Sequence, residues 1–426
     1  MKRPALFLLA TCTCAALGSF MPACFQRQAD SSPQDRAHAL LRQVPLVDGH
    51  NDLLWAIRQT AWYDFGRIDL RQSQPKLMTD IPRLRQGQVG AQFWSVYVPP
   101  AFQGEKAVTA TLEQIDAVYE MVRRYPDTFE LARSAADVER IFRAGRIASM
   151  IGVEGGHSID VSLGTLRMLR QLGAGYMTLT HSSNVPWADS ATDEPTVNGL
   201  SKFGEEVIRE MNRLGMLVDL SHVSLDATKV ALRISDAPVI FSHSSARALC
   251  DVPRNVPDEV LRLLPTNGGV VMVSFVPGFT VPAAAEWSRR ADAELQRLRK
   301  DERAEVRTGI LKWREANPEP AATVSMVADH IDHIRRVAGI DHVGIGSDFD
   351  GIDHGPVGLE DVSKYPALVA ELLKRGYSDQ DVKKVVGLNL LRVMREAETV
   401  STRLQASRGP SHATLVQLDG PKPPSK

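Results

Sequence analysis

Eight short apolar segments recur along the chain, and segments with helical periodicity separate most of them. Alternating strands and helices imply parallel strands joined by right-handed crossovers. Eight such units favour an α/β fold whose strands close into a (β/α)8 barrel of the TIM type rather than an open sheet. The predicted strands lie at about residues 46–47, 90–98, 147–153, 176–180, 216–220, 238–241, 269–275 and 343–347.

Two side chains that can bind a metal ion, His50 and Asp52, directly follow the first predicted strand. Residues i and i+2 of an extended chain project to the same side, so both can reach one ion at the strand's carboxyl end. An isolated His-x-Asp is more often a turn acid beside a surface histidine. Six of the eight predicted strand ends carry such residues, however: His50 and Asp52, Glu154, His181, His222, His243 and Asp348. Because barrel active sites form at strand carboxyl ends, this coincidence predicts a metal centre there.

The residue types narrow the choice of metal. Imidazole and carboxylate without thiolate favour Zn²⁺, Mn²⁺ or Co²⁺ over copper or iron–sulfur chemistry. Five ligands are too many for one open catalytic zinc, and they suit two ions about 3.5–4 Å apart that share a carboxylate. Glu154 lies between the first pair and the later histidines in barrel order, so it is the natural bridge.

Seven sequence blocks, spread from about residue 44 to 396, resemble those of the membrane (renal-type) dipeptidases, peptidase family M19. They read Asp-Gly-His-Asn-Asp at 48–52, Gly-Val-Glu-Gly-Gly-His at 152–157, Leu-Thr-His-Ser-Ser-Asn at 179–184, Asp-Leu-Ser-His at 219–222, Phe-Ser-His-Ser-Ser-Ala at 241–246, Arg-Asn-Val-Pro-Asp at 254–258 and Gly-Ser-Asp-Phe-Asp-Gly at 346–351. The resemblance implies a metallopeptidase with two zinc ions on an amidohydrolase-like barrel.

The resemblance also implies a role for each matched residue. His50 and Asp52 would bind one zinc ion, His222 and His243 the other, and Glu154 would bridge them. The remaining matches, at substrate-binding and catalytic positions, are His181, Arg254 and Asp348.

The expected reaction is hydrolysis of a dipeptide by a hydroxide that bridges the metals, with tolerance of a C-terminal D-residue implied by the resemblance. Asp348 would accept the water's proton and return it to the leaving amine, and His181 would stabilise the oxyanion. Arg254 would bind the substrate's free carboxylate. Two alternatives stay open: another amidohydrolase, such as an N-acyl-amino-acid deacylase, and a non-catalytic exported protein that binds metal or peptide.

Other polar residues near the blocks have structural interpretations. We expect His157 to form a supporting hydrogen bond and Asp350 to brace its loop, with Asp348 nearer the metals. The loop at 182–199 is long and contains Trp187, so it is a candidate lid over the pocket.

The formal net charge of −1, with no basic stripe, argues against nucleic acid as a partner. Residues 1–23 resemble a secretory signal peptide, which predicts export to the periplasm or cell envelope. The following Cys24 begins a polar tether at 24–36 and resembles a lipoprotein acylation site. Lipid anchoring through Cys24 and simple secretion both stay open.

The chain departs from the animal members of the family in two places. It lacks the cysteines of their disulfides, so we expect a homodimer that is not disulfide-linked. It also carries a densely charged segment at about 283–317, which predicts a helical insertion between the seventh and eighth strands. The catalytic barrel is expected to span 37–400, and the tail at 401–426 is expected to be disordered.

Overall fold

The computed structural model describes residue 1, residues 32–300 and residues 305–421. The predicted signal peptide after Met1 and most of the predicted tether lie outside the described residues. Among the described helices, none combines the length and the apolar character needed to cross a membrane.

Within the described residues, nine strands form one sheet. In chain order they are Leu46–Asn51 (β1), Val89–Tyr97 (β2), Phe129–Leu131 (β3), Ile147–Glu154 (β4), Ala174–Thr178 (β5), Leu217–Asp219 (β6), Ile240–Phe241 (β7), Val270–Val273 (β8) and Val343–Ile345 (β9).

The sheet is a closed parallel barrel of eight strands. Its order runs β2-β1-β9-β8-β7-β6-β5-β4, and β2 also pairs with β4, which closes the circle. The remaining strand, β3, pairs in parallel with the start of β4. The predicted (β/α)8 fold is therefore confirmed, whereas the three-residue β3 was not predicted.

Helices surround the barrel. They are Pro33–Leu41 (α1), Leu53–Ala61 (α2), Ile81–Gln86 (α3), Glu105–Arg124 (α4), Ala135–Arg143 (α5), Leu163–Gln171 (α6), Lys202–Leu214 (α7), Leu225–Ile234 (α8), Asp258–Leu261 (α9), Leu264–Asn267 (α10), Pro277–Thr280 (α11), Pro282–Lys300 (α12), Val306–Ala316 (α13), Val324–Ala338 (α14), Tyr365–Lys374 (α15), Asp379–Lys383 (α16), Asn389–Ser407 (α17) and Leu415–Asp419 (α18). Short 3-10 turns lie at Gly156–Ile159, Ile340–His342 and Val362–Lys364, and a π-helical turn at Lys384–Leu388 joins α16 to α17.

Large side chains fill the barrel interior, and one of them reaches the active-site end. Phe93 and Tyr176 pack with ring centroids 4.8 Å apart. A Cβ on Gly152 would lie 2.1 Å from Cζ of Tyr176, so only glycine leaves room for that ring. The hydroxyl of Tyr176 thereby reaches the carbonyl oxygen of Gly49, at 3.2 Å, next to the first strand's metal-competent residues.

The helical insertion is present between β8 and β9, as the helices α12 and α13. The rings of Trp287 and Trp313 lie 5.7 Å apart and hold the two helices together. The Trp287 indole also donates a hydrogen bond of 2.6 Å to the carbonyl of Asn317.

The C-terminal segment differs from the predicted disordered tail. Helix α17 continues to Ser407 and α18 follows at Leu415–Asp419. The Asp419 carboxylate accepts hydrogen bonds from the Ser201 hydroxyl (2.6 Å) and from the backbone amides of Lys202 (2.8 Å) and Phe203 (3.0 Å), at the start of α7. That prediction was wrong for 401–421 because contacts with distant residues stabilise a segment whose own composition is polar.

Candidate metal centre and active site

The predicted site residues meet at the carboxyl end of the barrel, around a cavity of about 470 Å³. His50 is fully buried and contacts the cavity-lining Asp52 and Glu154. The other predicted residues line the cavity directly: Asp52, Glu154, His181, His222, His243, Arg254 and Asp348. Eight residues from six strand ends and one loop thus share one site.

Glu154 is central to this cluster, because its two oxygens face different partners. Oε1 lies 3.2 Å from Nε2 of His222 and 3.6 Å from Nε2 of His243. Oε2 lies 3.5 Å from Nε2 of His50 and accepts a hydrogen bond of 3.1 Å from the Ser95 hydroxyl. A carboxylate that offers one oxygen to each side has the geometry of a bridging ligand.

The ligand atoms form three overlapping groups, within each of which all atoms lie within 4.8 Å of one another. The groups are His50 with Glu154 and His243, Glu154 with His181 and His222, and His50 with Asp52 and Asp348. His181 and Asp348 therefore lie as close to the cluster as the predicted ligands do. The resemblance implied two pairs bridged by Glu154, His50 with Asp52 and His222 with His243, and the first group draws one histidine from each pair.

The cluster suits a divalent cation. Nε2 of His50 and Oδ1 of Asp52 are buried and have no hydrogen-bond partner among the described residues. Buried polar atoms are normally paired, so two lone pairs without a partner in one cluster indicate a missing positive group. Imidazole and carboxylate donors of this kind are those that zinc, manganese and cobalt accept.

The protonation of His222, His243 and Glu154 agrees with metal binding. Burial and the charge of Arg254 hold the pKa values of His222 and His243 well below the ordinary histidine value. Both rings are therefore neutral, as metal-binding imidazoles must be. Burial alone would raise the pKa of Glu154, but His50 and His181 hold it well below the usual range. His50 differs, because Tyr176, Glu154 and Asp52 outweigh burial and raise its pKa.

Asp348 is set apart by its backbone and by its pKa. Its φ of 70°, like the 67° of His222, lies in the left-handed region that residues other than glycine seldom adopt. Such strain concentrates at functional sites. Burial and the neighbouring carboxylates of Asp52 and Glu154 raise the pKa of Asp348 well above its ordinary value, so this carboxyl group is suited to holding a proton.

A glycine makes this approach of two carboxylates possible. A Cβ on Gly351 would lie 2.2 Å from Oδ2 of Asp52 and 2.6 Å from Oδ1 of Asp348. Any larger residue would push both carboxylates out of place.

Arg254 is a buried cation that has no carboxylate partner in the part of the chain that the structure describes. Its guanidinium donates only long hydrogen bonds, to the Ser244 hydroxyl (3.4 Å) and to the carbonyl of His243 (3.3 Å), and stacks 5.0 Å from the Phe279 ring centre. Nε has no partner among the described residues. Burial lowers the pKa of Arg254 to about 10, which still leaves it charged at neutral pH. A buried charge of this kind requires an anion.

Aromatic residues complete the cavity wall, and the sequence reasoning missed them. Tyr97 at the end of β2 lies 5.0 Å from the His181 ring and 5.2 Å from the Trp55 ring. Tyr97 is the second-last residue of the predicted strand at 90–98, which was the available signal. Trp55 follows Asp52 by three residues, about one helical turn.

His157 and Asp350 make supporting hydrogen bonds to the backbone, as the sequence predicts. Nε2 of His157 lies 3.0 Å from the carbonyl oxygen of Val98. The Asp350 carboxylate accepts a hydrogen bond of 2.7 Å from the Met78 amide, and burial raises its pKa to about 6. Asp350 also lines the cavity, so bracing is not its only contact with the site.

Trp187 is not part of a lid. It is fully buried, packs against Phe203 and lies against Gly156. The Asp189 carboxylate anchors the loop by accepting hydrogen bonds from the amides of Thr196, Val197 and Gly199. Trp187 therefore belongs to the core, while the loop that was predicted as a lid contributes residues 190–195 to the wall of a neighbouring cavity.

Two smaller cavities adjoin the main one. The first, about 270 Å³, shares His222 and Arg254 with it and is lined on its far side by loop residues 190–195. The second, about 280 Å³, lies against the helical insertion and shares Val276 and residues 351–353 with the main cavity.

Comparison with known proteins agrees with this geometry. The membrane dipeptidase family (peptidase family M19) matches residues 34–408. Dipeptidase verJ of Clonostachys rogersoniana is 43% identical over 383 residues, which are 87% of this chain and 88% of that protein. Dipeptidase 3 of Mus musculus is 43% identical over 377 residues, which are 87% of this chain and 68% of that protein.

A solved structure gives the same result. The probable dipeptidase PvdM from Pseudomonas aeruginosa superposes with a TM-score of 0.74 at 26% identity, over 86% of this chain and 99% of that chain. The match over most of the chain, with a barrel whose strand ends gather a metal-competent cluster, leads to one conclusion: the chain belongs to the membrane dipeptidases of peptidase family M19, a family of metal-dependent peptidases.

Proposed function

We propose that the protein hydrolyses dipeptides with two bound zinc ions, including dipeptides whose C-terminal residue is a D-amino acid. The observation that supports this most directly is Arg254, a buried cation that lines the same cavity as the metal-competent cluster and has no carboxylate partner among residues 32–300 and 305–421. A substrate with a free carboxylate next to the scissile bond would supply the missing anion. A dipeptide has that arrangement.

Substrate length follows from the position of Arg254. Its guanidinium lies 3.3 Å from the carbonyl oxygen of His243 and lines the same cavity as the cluster, so a carboxylate bound there would lie beside the cluster. A guanidinium binds a carboxylate through two parallel hydrogen bonds, which fixes direction as well as position. Longer peptides would have to place a peptide bond where the carboxylate belongs.

Tolerance of both configurations is supported by the space around Arg254. The guanidinium lies between the main cavity and the neighbouring cavity of about 270 Å³. The side chain of the C-terminal residue can therefore point to either side while its carboxylate stays in place.

Two zinc ions, when bound by His50, Asp52, Glu154, His222 and His243, supply a water of lowered pKa and polarise the substrate carbonyl. Asp348 takes the proton of the attacking water and returns it to the leaving amine, a role that suits a carboxyl group with a raised pKa. Nε2 of His181, 3.5 Å from Oε1 of Glu154, is near enough to donate to the developing oxyanion.

We further propose export, with Cys24 as a lipid attachment site if the protein is membrane-associated. Cys24→Ser would then move the protein from the membrane fraction to the soluble one. We also propose a homodimer without disulfides. Cys250, the cysteine within the described residues, is free and buried, in agreement with that proposal.

The test compares dipeptides with a C-terminal L- or D-residue, an N-acetylated dipeptide and a dipeptide amide, with and without added Zn²⁺. We expect Arg254→Ala to lower kcat/KM by roughly 10²-fold on the free acid, because a desolvated bidentate contact is lost. Arg254→Lys should recover only part, since an ammonium cannot form the same two bonds. Zinc content should stay unchanged.

The amide and a matched arginine are the controls. The unmutated enzyme should be poor on the amide, and Arg254→Ala should lose little more there. Arg247→Ala, which removes an arginine of the neighbouring cavity that pairs with Asp251, should keep most activity. Equal losses on acid and amide would refute the carboxylate role, and faster cleavage of the N-acetylated substrate would favour a deacylase.

A further inference from the structure

Two metal-competent histidines touch a buried hydroxyl through the ring nitrogen that faces away from the cluster. Nδ1 of His243 lies 2.8 Å from the Ser242 hydroxyl. Nδ1 of His50 lies 2.9 Å from the Tyr176 hydroxyl. Ser242 and Tyr176 are fully buried, so no bulk water competes for these contacts.

The proton of the Ser242 hydroxyl has another acceptor. It is donated to Oδ2 of Asp219, at 2.6 Å. The same carboxylate accepts hydrogen bonds from the Thr178 hydroxyl (2.5 Å) and from the backbone amides of Ser242 (2.8 Å) and Ser221 (3.1 Å). A carboxylate only accepts, so these four contacts need four donated protons.

This count determines the form of His243. Since the single proton of the Ser242 hydroxyl points to Asp219, the hydroxyl oxygen can only accept at its other contact. Nδ1 of His243 must then carry the proton. A neutral imidazole has one N–H, so Nε2 of His243 presents its lone pair to Glu154 and the cluster.

The same pattern occurs at His50. The Tyr176 hydroxyl lies 3.2 Å from the carbonyl oxygen of Gly49, a group that only accepts. If Nδ1–H of His50 donates to the Tyr176 hydroxyl and that hydroxyl donates to the carbonyl of Gly49, every donor and acceptor is paired. Nε2 of His50 then keeps a free lone pair. His222 lacks such a contact: its buried Nδ1 has no partner within the described part of the chain.

We propose that Ser242 and Tyr176 are positioning residues that set the tautomers of His243 and His50 and so prepare each ring to bind a metal ion. The proposal rests on the proposed metal-dependent function. Partners of this kind orient metal ligands, and their loss commonly costs about 10–100-fold in metal affinity.

The test measures Zn²⁺ binding to the metal-free full-length protein by competition with a chelator. We expect Ser242→Ala and Tyr176→Phe each to weaken the binding of one zinc ion by about 10–100-fold. Ser242→Thr, which keeps the hydroxyl, should restore most of the affinity.

Two control variants remove a similar buried hydroxyl that does not touch a histidine. Thr178→Val removes another donor to Asp219, and Tyr365→Phe removes a 2.6 Å donor to the buried Asp48. We expect Thr178→Val to lower the melting temperature about as much as Ser242→Ala does, and Tyr365→Phe about as much as Tyr176→Phe. Zinc affinity of both controls should stay within about three-fold of the unmutated protein, well short of the loss of about 10–100-fold expected for the hydroxyl variants.

The outcomes separate the two proposals. If the unmutated protein binds no zinc, the proposed function fails. If the unmutated protein binds zinc and Ser242→Ala and Tyr176→Phe bind it equally well, Ser242 and Tyr176 are not positioning residues. The same conclusion follows if the two control variants lose as much zinc affinity as these two variants do.

Discussion

The floor of the active-site cavity and the wall of the adjoining cavity beside the helical insertion are built in opposite ways. The floor, defined as the strand-end residues His50, Asp52, Glu154, His222 and His243, consists of buried charges and rings that each contact several others. The wall, defined as α12, α13 and residues 352–354, has charges that face solvent in single pairs. Arg314 and Asp353, 2.9 Å apart, have side chains that are 45% and 76% exposed.

This difference decides what a substitution should cost. Removing one member of a buried network leaves its partners without compensation, which is expensive. Exposed ion pairs contribute little, since water and salt screen them. The floor should therefore tolerate almost no change, whereas the wall can vary and so can differ between relatives.

The largest effect should come from Glu154→Gln. An amide cannot offer an anionic oxygen to both sides, so we expect metal binding to weaken in both halves of the centre. We also expect kcat/KM to fall by more than about 100-fold, because that is the upper end of the loss for a residue that only orients a metal ligand. Zinc per chain and activity are measured together. Glu210→Gln, a buried carboxylate paired with Arg213, is the control and should keep its zinc. Zinc loss from one half only would contradict a bridge.

A smaller but still large effect should follow Gly351→Ala. The added methyl group would push the carboxylates of Asp52 and Asp348 apart, so we expect weaker zinc binding by the His50 and Asp52 half and reduced kcat. Gly409→Ala is the control, because a Cβ there meets no atom within 4 Å. Normal zinc binding and kcat in Gly351→Ala would show that this side of the floor is not tightly packed.

The smallest effect should come from the wall. Burial tends to lower the pKa of His354, but the Glu319 carboxylate, 2.9 Å away, raises it above the ordinary value. The folded pKa thus exceeds the unfolded pKa of about 6.5, so the stabilisation is complete below that pH and is lost as pH rises through the folded pKa. His354→Gln should cost roughly 0.5 kcal/mol or less at pH 5.5 and nothing at pH 8.5.

Melting temperatures at the two pH values, for the unmutated protein and His354→Gln, check this prediction. Dipeptide hydrolysis by His354→Gln should stay near normal, in contrast to the loss of activity expected for substitutions in the floor. An equal loss of stability at both pH values would mean that His354 acts through packing rather than charge.

The floor could be predicted from the sequence because each of its residues lies within three residues of a strand's carboxyl end, and strand ends of a parallel barrel meet at one rim. The wall could be predicted as helices but not as the side of a cavity, since that depends on how α12 and α13 pack. The position of Trp187 could not be predicted, because one loop can bury part of its length, here Trp187, and expose another part, here residues 192–196. Strand β3 was too short to show a pattern.

Asp419 has a consequence for the time course of biosynthesis. It binds the first amides of α7, 217 residues earlier for Lys202. At about 5–20 residues per second, roughly 10–40 s pass between synthesis of that helix start and of its capping carboxylate. During this interval the amides of Lys202 and Phe203 have only water as a partner for the bonds that Asp419 later accepts. The start of α7 is therefore among the last parts of the barrel to be completed, although it lies near the middle of the chain.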